Sequence, residues 1–223
     1  MTTFSRTLEL KSHGGTASFI DVTQELRTAI ADSGITTGTA TIISPHTTCA
    51  VYFDEFAHDQ VKDGTDYLQV DFDAALTRIF PDQTQFPPHN GYNYPGNEHF
   101  EAVENWPNAA TFLPGGDRSQ LLNADAHLKA NLLGSSETVA VLDGKAGFGE
   151  TGYVYFVDFD RARERARKCH IIVTGDEPHS YWGGREARGK VRTRAFTLQS
   201  SSTTPHVTRC VIPTGDRTDA TSH

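Results

Sequence analysis

The sequence predicts a domain that combines β-strands with α-helices, followed by a C-terminal segment of different composition. Alternating apolar and polar residues predict a first strand at Phe4 to Leu10, and the segment His170 to Thr174 predicts a closing strand near the other end of the domain. Apolar residues at helical spacing predict amphipathic helices between them. After Gly175 the composition shifts to Ser, Thr, Arg and Gly. We therefore expect a domain over residues 1–175 and an extension over 176–223.

The N-terminal part of the chain indicates a hairpin followed by a helix. Gly14 and Gly15 form a turn between the strand Phe4 to Leu10 and a second strand near Ala17 to Ile20, so we expect these strands to pair. A helix then begins at the polar residues Asp21 and Thr23 and ends at Gly34.

A proline separates the next two predicted strands. The first strand is Gly38 to Ile43, and strand character resumes at Thr47 to Phe53 after Pro45. His46 therefore lies at a bend between extended segments, where a side chain can face a cleft.

The middle of the chain shows weaker periodicity. Residues His58 to Ile79 predict a broken helix that ends at Phe80 and Pro81. Residues 82–118 contain half of the ten prolines and predict a long loop. Such a loop is either a functional lid or binding loop or a family-specific insertion.

The second half of the domain predicts a helix and closing strands. The helix spans Asn123 to Leu133, with His127 on the same stripe as Leu128 and Leu132, and it ends at Gly134. The Asp143-Gly144 pair is a strong hairpin signal. The remaining predicted strands are Val139 to Leu142, Tyr153 to Phe159 and His170 to Thr174, with an Arg-rich connection at Arg161 to Lys168.

Composition excludes several classes of function. The net charge of −8 opposes nonspecific binding to nucleic acid, which requires a basic face, so a small-molecule partner is favoured. No apolar run reaches the roughly 18 residues of a membrane span, and we expect a cytoplasmic protein without membrane contact. Three scattered cysteines, Cys49, Cys169 and Cys210, indicate reduced thiols.

Histidines and one carboxylate form the candidate site. These are His46, Glu55, His127 and either His89 or His99 from the predicted loop. Neutral imidazoles with a carboxylate can hold a zinc-like divalent ion, but no pair has the close spacing that identifies a metal site. Alternatively, His46 and His127 serve as general base and general acid, with Glu55 orienting one of the imidazole rings or acting as a base itself.

Two further features have simpler interpretations. Cys49 is a nucleophile if a histidine lowers the pKa of its thiol, although a cysteine followed by Ala and Val is more often a core residue. The glycines from Gly144 to Gly152 lack the lysine and the following helix of a nucleotide-binding loop.

Several stretches together resemble one family. They are PHTTCAVYFDE, NADAHLKANLLGSS, VAVLDGKAGFGETGYVYFVDFD and HIIVTGD, in this order. Over about Phe4 to Gly175 the chain is similar to the YjbQ-type proteins, which are described as secondary thiamine-phosphate synthases. The resemblance implies an α+β domain with mixed and antiparallel β-sheets, flanking helices and a homotrimeric assembly with sites near subunit interfaces.

The resemblance also implies site residues. His46, Thr47, Glu55, Asn123 and His127 match the polar site positions of the family. A loop histidine completes a metal- or phosphate-binding pocket, so that His46, His99 and His127 become the implied metal ligands. His99 is preferred over His89 because it follows an acidic residue, as in the family.

The chain also departs from the family pattern. A tryptophan and glutamine expected before the penultimate strand are replaced by Gly149 to Gly152, and Arg161 to Arg163 replaces a Gly-Pro-Arg turn. The acidic positions after Glu55 have shifted, with Asp63 or Asp66 as candidates. These departures and the insertion at 82–118 indicate a reshaped pocket.

Three functions follow as hypotheses. The first is condensation of a pyrimidine pyrophosphate with a thiazole phosphate, or a related lyase or transferase reaction, with Arg163, Arg165 or Lys129 assisting an anionic leaving group. The second is a metal-dependent hydrolase or lyase with a different substrate, in which Glu55 is the base. The third is a noncatalytic trimeric protein that binds a small, phosphorylated molecule.

Overall fold

A computed structural model describes residues 1–177, so the predicted extension, with the exception of Asp176 and Glu177, lies outside the described residues. In chain order the elements are β1 (Thr2–Ser12), β2 (Ser18–Asp21), α1 (Thr23–Ser33), β3 (Thr37–Ile43), β4 (Cys49–Glu55), α2 (Tyr67–Ile79), α3 (Asn97–Glu104), α4 (Ala109–Phe112), α5 (Ala124–Leu133), β5 (Ser136–Leu142), β6 (Lys145–Ala146), β7 (Gly152–Asp158) and β8 (Arg165–Asp176).

The strands form two sheets. One has five strands in the order β1-β8-β3-β5-β6, and the other has three in the order β2-β7-β4. Every strand pairing within residues 1–177 is antiparallel. The α+β class is therefore confirmed, whereas the expected mixed sheet is not found in this part of the chain.

The expected N-terminal hairpin is wrong. β1 pairs with β8 over eleven residue pairs, from Thr2↔Gly175 to Ser12↔Arg165, and β2 pairs with β7 in the other sheet. A four-residue strand could offer β1 only a fraction of the hydrogen bonds that β8 provides. The chain between β1 and β2 instead passes from one sheet to the other, where Ser18 Oγ accepts a hydrogen bond from the His13 N–H at 2.9 Å.

The three-stranded sheet is buried on both faces, because successive side chains of a strand point to opposite faces. Val51 of β4 and Phe156 of β7 face a cluster that also includes side chains of α1 and the five-stranded sheet. Tyr52 and Tyr155, one position away, face a second cluster with α2 and α5. The two core clusters thus lie on either side of this sheet.

The helix predicted at α1 is confirmed, and it ends at Gly34, which adopts the left-handed conformation with φ 68°. The hairpin at Asp143-Gly144 is also confirmed, with both residues at positive φ between β5 and β6. In the predicted broken helix, only α2 is helical. It starts at a capping box in which Asp66 accepts a hydrogen bond from the Gln69 N–H.

Helix α5 is confirmed, but its inner face differs from the prediction. Leu128 and Leu132 are 39% and 57% exposed, whereas Ala126, Lys129 and Ala130 are buried. His127 is half-buried at the edge of this face. The prediction that Leu128 and Leu132 lie on the buried face of α5 is therefore wrong. The small side chains of Ala126 and Ala130 pack against the sheet instead, where leucines would not fit.

The segment 82–118 is not the structureless loop that its composition predicts. It contains α3, α4 and short 3-10 turns, and it has its own apolar cluster, which includes Phe100, Val103 and Leu113. Arg163 anchors it by donating hydrogen bonds to the carbonyl oxygens of Thr111 and Phe112. The segment thus packs as a small helical subdomain against the β7–β8 turn.

One further boundary differs from the prediction. The Arg-rich connection is shorter than expected, because β8 already begins at Arg165. Among residues 1–177, no helix has the length and apolar character needed to cross a membrane.

Candidate functional site

A cavity of about 310 Å³ opens where four parts of the chain meet. These are the β3–β4 loop, the β7–β8 connection with the start of β8, the start of α5 and the segment 82–118. Its lining consists of Pro45, His46, Thr47, Thr48, Tyr94, His99, Val103, Trp106, Phe112, Leu121, Asn123, His127, Asp160, Arg165 and Arg167.

The structure brings together most of the predicted site residues. His46, Thr47, His99, Asn123 and His127 all line this cavity, whereas Glu55 and His89 do not. Glu55 is exposed at the opposite end of β4. Because a strand rises by about 3.3 Å per residue, the seven residues of β4 place Glu55 roughly 20 Å from Cys49. His46 and Glu55, the two candidate residues of PHTTCAVYFDE, therefore do not meet within one chain.

His46 is held in one tautomer by the neighbouring strand. Its Nε2 accepts a hydrogen bond from the Lys168 N–H at 2.8 Å. Lys168 lies just beyond the last β3–β8 pair, Ile43↔His170. The His46 side chain therefore accepts the hydrogen bond that a backbone carbonyl of β3 would accept if that strand continued. Since a backbone N–H can only donate, Nε2 carries a lone pair and the proton lies on Nδ1. Burial, together with the charge of Arg167, lowers the pKa of His46 and favours this neutral ring.

His127 has the same tautomer as His46, but the contact that fixes it is made through the other ring nitrogen. Its Nδ1 lies 3.2 Å from the carbonyl oxygen of Thr47. A carbonyl oxygen can only accept, so Nδ1 carries the proton and the neutral ring has a lone pair on Nε2. Burial lowers the pKa of His127 despite the opposing effect of the Thr47 carbonyl. His127 thus has the electronic state of a general base or a ligand at neutral pH.

His99 enters the cavity from α3 with an aromatic partner. The Tyr94 hydroxyl lies 3.0 Å from His99 Nε2, and the Tyr94 ring is perpendicular to that of His127, with centroids 5.6 Å apart. Burial raises the pKa of Tyr94, so the phenol stays protonated near neutral pH. Tyr94 therefore stands between two imidazoles of the site.

A buried ion pair supports the floor of the cavity. Arg167 donates from Nε to Asp158 Oδ2 at 2.7 Å and from Nη2 to Asp158 Oδ1 at 3.1 Å. Arg167 Nη2 also lies 3.2 Å from Thr48 Oγ1, beside the predicted site residue Thr47. Burial alone would raise the pKa of Asp158, but the hydrogen bonds and charge of Arg167 outweigh it and lower that pKa. The pair fixes the β3–β4 loop against β7 and β8.

A second ion pair has unused hydrogen-bonding capacity. Arg165 Nη2 is 2.7 Å from Asp160 Oδ2, and Asn123 Nδ2 donates to the same oxygen at 2.9 Å. Arg165 Nη2 is nevertheless poorly aligned with the carboxylate, and both this nitrogen and Nε make no hydrogen bond. The buried Asn123 Oδ1 also has no partner. These three atoms are buried, so a ligand in the cavity would meet the exposed part of the Arg165 side chain rather than the atoms themselves.

The donor set does not fit the expected metal ion. Within residues 1–177, no three His, Cys, Asp or Glu side chains converge in a way that could hold one. In His46 the Nε2 lone pair is already engaged by Lys168, and a protonated Nδ1 is not a metal ligand. The divalent ion that the family resemblance implies stays a prediction.

Several other residues suggested from the sequence make contacts outside the cavity. Lys129 is buried and contacts Asp73 Oδ1 at 3.1 Å, and Arg163 anchors the segment 82–118. Asp66 caps α2, and Asp63, which is exposed, accepts from the Thr65 N–H. Burial raises the pKa of the Cys49 thiol, which agrees with a core role. Of the three cations suggested from the sequence, only Arg165 lines the cavity.

Sequence reasoning missed Asp160, Arg167 and the aromatic residues Tyr94 and Trp106. The stretch RARERARK was interpreted as a connection because of its charge. Its alternation of arginine with other residues has the period of a strand, which places Arg165 and Arg167 on one face of β8. For Tyr94 and Trp106 no sequence signal was available, because their position depends on how the segment 82–118 packs.

Comparison with known proteins agrees with this fold. The family model "UPF0047 protein YjbQ-like" matches residues 6–176. The UPF0047 protein MJ1081 of Methanocaldococcus jannaschii is 27% identical over 158 residues, which cover 71% of this chain and 86% of that protein. The UPF0047 protein YugU of Bacillus subtilis is 28% identical over 156 residues, which cover 70% of this chain and 89% of the relative.

Solved structures share the fold. A YbjQ-like protein of unknown function from Sulfolobus solfataricus matches with a TM-score of 0.53 and 19% identity, over 78% of this chain and 100% of its own. An uncharacterized YjbQ/UPF0047 protein from Clostridium acetobutylicum matches with a TM-score of 0.50 and 24% identity, over 75% and 99% of the two chains. The match of the family model over most of the domain shows that the chain belongs to the YjbQ-like UPF0047 family.

Proposed function

We propose that the protein is an enzyme that acts on a small phosphorylated molecule in this cavity, with His127 exchanging a proton with the substrate. One observation carries the proposal: the lone pair on His127 Nε2 belongs to a ring that lines the same cavity as Arg165 and Asn123. A neutral imidazole with a fixed tautomer is suited to general base catalysis.

Binding of the phosphate group is assigned to Arg165. Arg165 lines the cavity with part of its side chain exposed, and a guanidinium recognises phosphate oxygens through its N–H groups. The fixed charges of the site, Arg165 and Arg167 against Asp158 and Asp160, offset one another. An anion would therefore be held by aimed donors rather than by a large positive field.

The other residues orient these groups. Thr47 fixes the tautomer of His127, and Asn123 positions Asp160 beside Arg165. His46 braces the β3–β4 loop through Lys168. The segment 82–118 forms one side of the cavity, so polar interactions beside it face less water than on an open surface and are strengthened.

The first reaction to test is the condensation of a pyrimidine pyrophosphate with a thiazole phosphate to give thiamine phosphate. The purified full chain is compared with His127→Gln and Arg165→Gln, and with His13→Gln, which changes an exposed histidine outside the cavity. We expect product formation to fall by about 100-fold or more in His127→Gln, the usual range for loss of a general base. His13→Gln should leave the rate unchanged.

Two results would redirect this proposal. Unchanged turnover in both cavity variants would contradict the assignment of the site. Tight binding of both precursors without turnover would favour the noncatalytic binding protein. The homotrimer and the cytoplasmic location implied by composition and family resemblance stay predictions.

A further inference from the structure

Tyr94 lines the cavity but has no role in the function proposed above. Its side chain is half-buried in the cavity wall, and its hydroxyl lies 3.0 Å from His99 Nε2. Within residues 1–177 this hydroxyl has no other hydrogen-bond partner. Since a phenol hydroxyl has one donor site and two acceptor sites, a single contact leaves capacity for a ligand.

The position of Tyr94 is fixed relative to His127. Gln83 donates to the Tyr94 carbonyl at 2.6 Å and accepts from the Ala124 N–H at 2.9 Å, in the first turn of the helix that carries His127. The rings of Tyr94 and His127 are perpendicular, with centroids 5.6 Å apart. A substrate of only a few atoms spans this distance, so a molecule that exchanges a proton with His127 can also contact the Tyr94 side chain.

The direction of the hydrogen bond between Tyr94 and His99 decides what the hydroxyl can offer to a ligand. If His99 donates from Nε2, the Tyr94 oxygen accepts and the hydroxyl proton is free for an oxygen atom in the cavity. If Tyr94 donates, its proton is used in the contact with His99. Burial, and to a smaller extent the charge of Asp160, raises the pKa of Tyr94, so the hydroxyl keeps its proton at neutral pH.

A base at His127 calls for such a donor elsewhere in the cavity. When a base removes a proton from a substrate, negative charge develops on a second atom, commonly an oxygen, and a donor that is already in position stabilises this charge. Arg165 is paired with Asp160 and assigned to the phosphate group. The Tyr94 hydroxyl is a neutral donor on the side of the cavity formed by the segment 82–118.

We propose that Tyr94 is a catalytic residue, which donates a hydrogen bond to the substrate oxygen on which negative charge develops. His99 is then a positioning residue, which orients the Tyr94 hydroxyl by donating to it from Nε2. The inference rests on the proposed function for the base, His127, and adds a second catalytic group that comes from the segment 82–118.

The first test is the protonation of His99 in the full chain without ligand at neutral pH. Long-range ¹H–¹⁵N spectra distinguish ring nitrogens that carry a proton from those that do not. We expect a proton on His99 Nε2, with a resonance that shifts in Tyr94→Phe and stays in place in Tyr92→Phe. An Nε2 without a proton would overturn the proposal, because Tyr94 would then be the donor in this contact.

The second test is the kinetics of the same thiamine-phosphate condensation. Tyr94→Phe removes only the hydroxyl, so kcat should fall about 100-fold or more, as is usual for the loss of one such donor, with KM little changed. In the matched control Tyr92→Phe, the lost hydroxyl lies on the same segment but donates to the Pro81 carbonyl at 2.6 Å, outside the cavity. This control should keep the wild-type kcat.

Variants of His99 test its positioning role. His99→Leu should lower kcat, and His99→Gln should retain more activity, because a side-chain amide can also donate to the Tyr94 oxygen. The double variant Tyr94→Phe with His99→Leu should be no slower than Tyr94→Phe alone, since His99 acts through Tyr94. Additive losses would overturn this role of His99.

The outcomes separate this inference from the proposed function. A large loss of turnover in His127→Gln with none in Tyr94→Phe would overturn the role of Tyr94 and leave the proposed function standing. Wild-type protein without turnover would overturn both the catalytic role of Tyr94 and the proposed function.

Discussion

His127 lines the cavity with its Nδ1 proton committed to the Thr47 carbonyl, and this contact decides what the ring can do. A histidine at this position without the contact could present either nitrogen to a ligand. The sequence identified His46 and His127 as candidates but not the tautomers of their rings, because these depend on a carbonyl from the β3–β4 loop and an N–H from β8. The chemical roles of the two histidines thus depend on hydrogen-bond partners that are distant from them in the sequence.

The pH dependence of turnover tests the state of His127. Burial lowers the pKa of this ring, so the base is formed above a pKa that lies below 6.5. We expect kcat/KM to be level at and above neutral pH and to fall as the pH decreases through that value. Measurement of kcat/KM from pH 4.5 to 8.5 decides this. A rate that rises with acidity would contradict a role for the neutral ring.

Arg167→Met tests the buried ion pair. Removing the guanidinium leaves the Asp158 carboxylate buried without compensation, so we expect a loss of about 3–5 kcal/mol in the free energy of unfolding at pH 7. The pKa of Asp158 is lowered in the folded state, so the stabilisation is present above the pKa of the unfolded carboxyl, about 3.9, and is lost as the pH falls through the folded value.

The measurement is urea unfolding of both proteins at pH 7 and near pH 4. The difference between them should be smaller near pH 4, because burial raises the pKa of the unpaired Asp158 carboxyl in the variant, which then takes up a proton and loses its uncompensated charge. The double variant Asp158→Leu with Arg167→Met should recover part of the stability, because no charge is then left unpaired. An Arg167→Met variant as stable as the wild type would show that the ion pair contributes nothing to the free energy of unfolding.

At the scale of elements, local signals were reliable where a helix or turn is specified by its own residues. Gly34 ends α1 and Asp143-Gly144 turns the β5–β6 hairpin as predicted. Pairing partners were not predictable, because β1 prefers the distant β8 to the adjacent β2. The helices in 82–118 were not predicted either, because they are short and depend on packing in an apolar cluster. The composition of the segment, rich in proline and glycine, gives no sign of that cluster.

Gln83 connects this segment to the site and provides a test of its packing. Its Nε2 donates to the Tyr94 carbonyl at 2.6 Å, and its Oε1 accepts from the Ala124 N–H at 2.9 Å, at the first turn of α5. Gln83→Leu leaves both backbone groups without these partners, which costs about 1–3 kcal/mol for each group if it stays buried. We therefore expect local opening of the segment.

Hydrogen–deuterium exchange measures this effect. Amides in 92–112 should exchange at least tenfold faster in Gln83→Leu, while those of β3, β7 and β8 keep their rates. Gln24→Leu, at an exposed position of α1, is the matched control. Uniformly faster exchange over the whole domain would mean that Gln83 supports global stability instead.

At the scale of the whole molecule, the candidate site is assembled from four separated parts of the sequence. The family resemblance brought His46, Asn123 and His127 together before the fold was known, because it carried information about three-dimensional proximity that spacing lacks. It also grouped Glu55 with them, although the length of β4 separates Glu55 from the cavity in this chain. The central claim is that the cavity at His127, rather than the Glu55 end of β4, is where the ligand binds.

The most direct test is a ¹H–¹⁵N spectrum of the histidine side chains during titration of the full chain with phenyl phosphate. We predict shifts at His127 and His99, which line the cavity, and none at His58 or His89, which do not. His58 lies near Glu55 in sequence and reports on the opposite end of β4. Shifts at His58 or His89 with none at His127 would contradict the account.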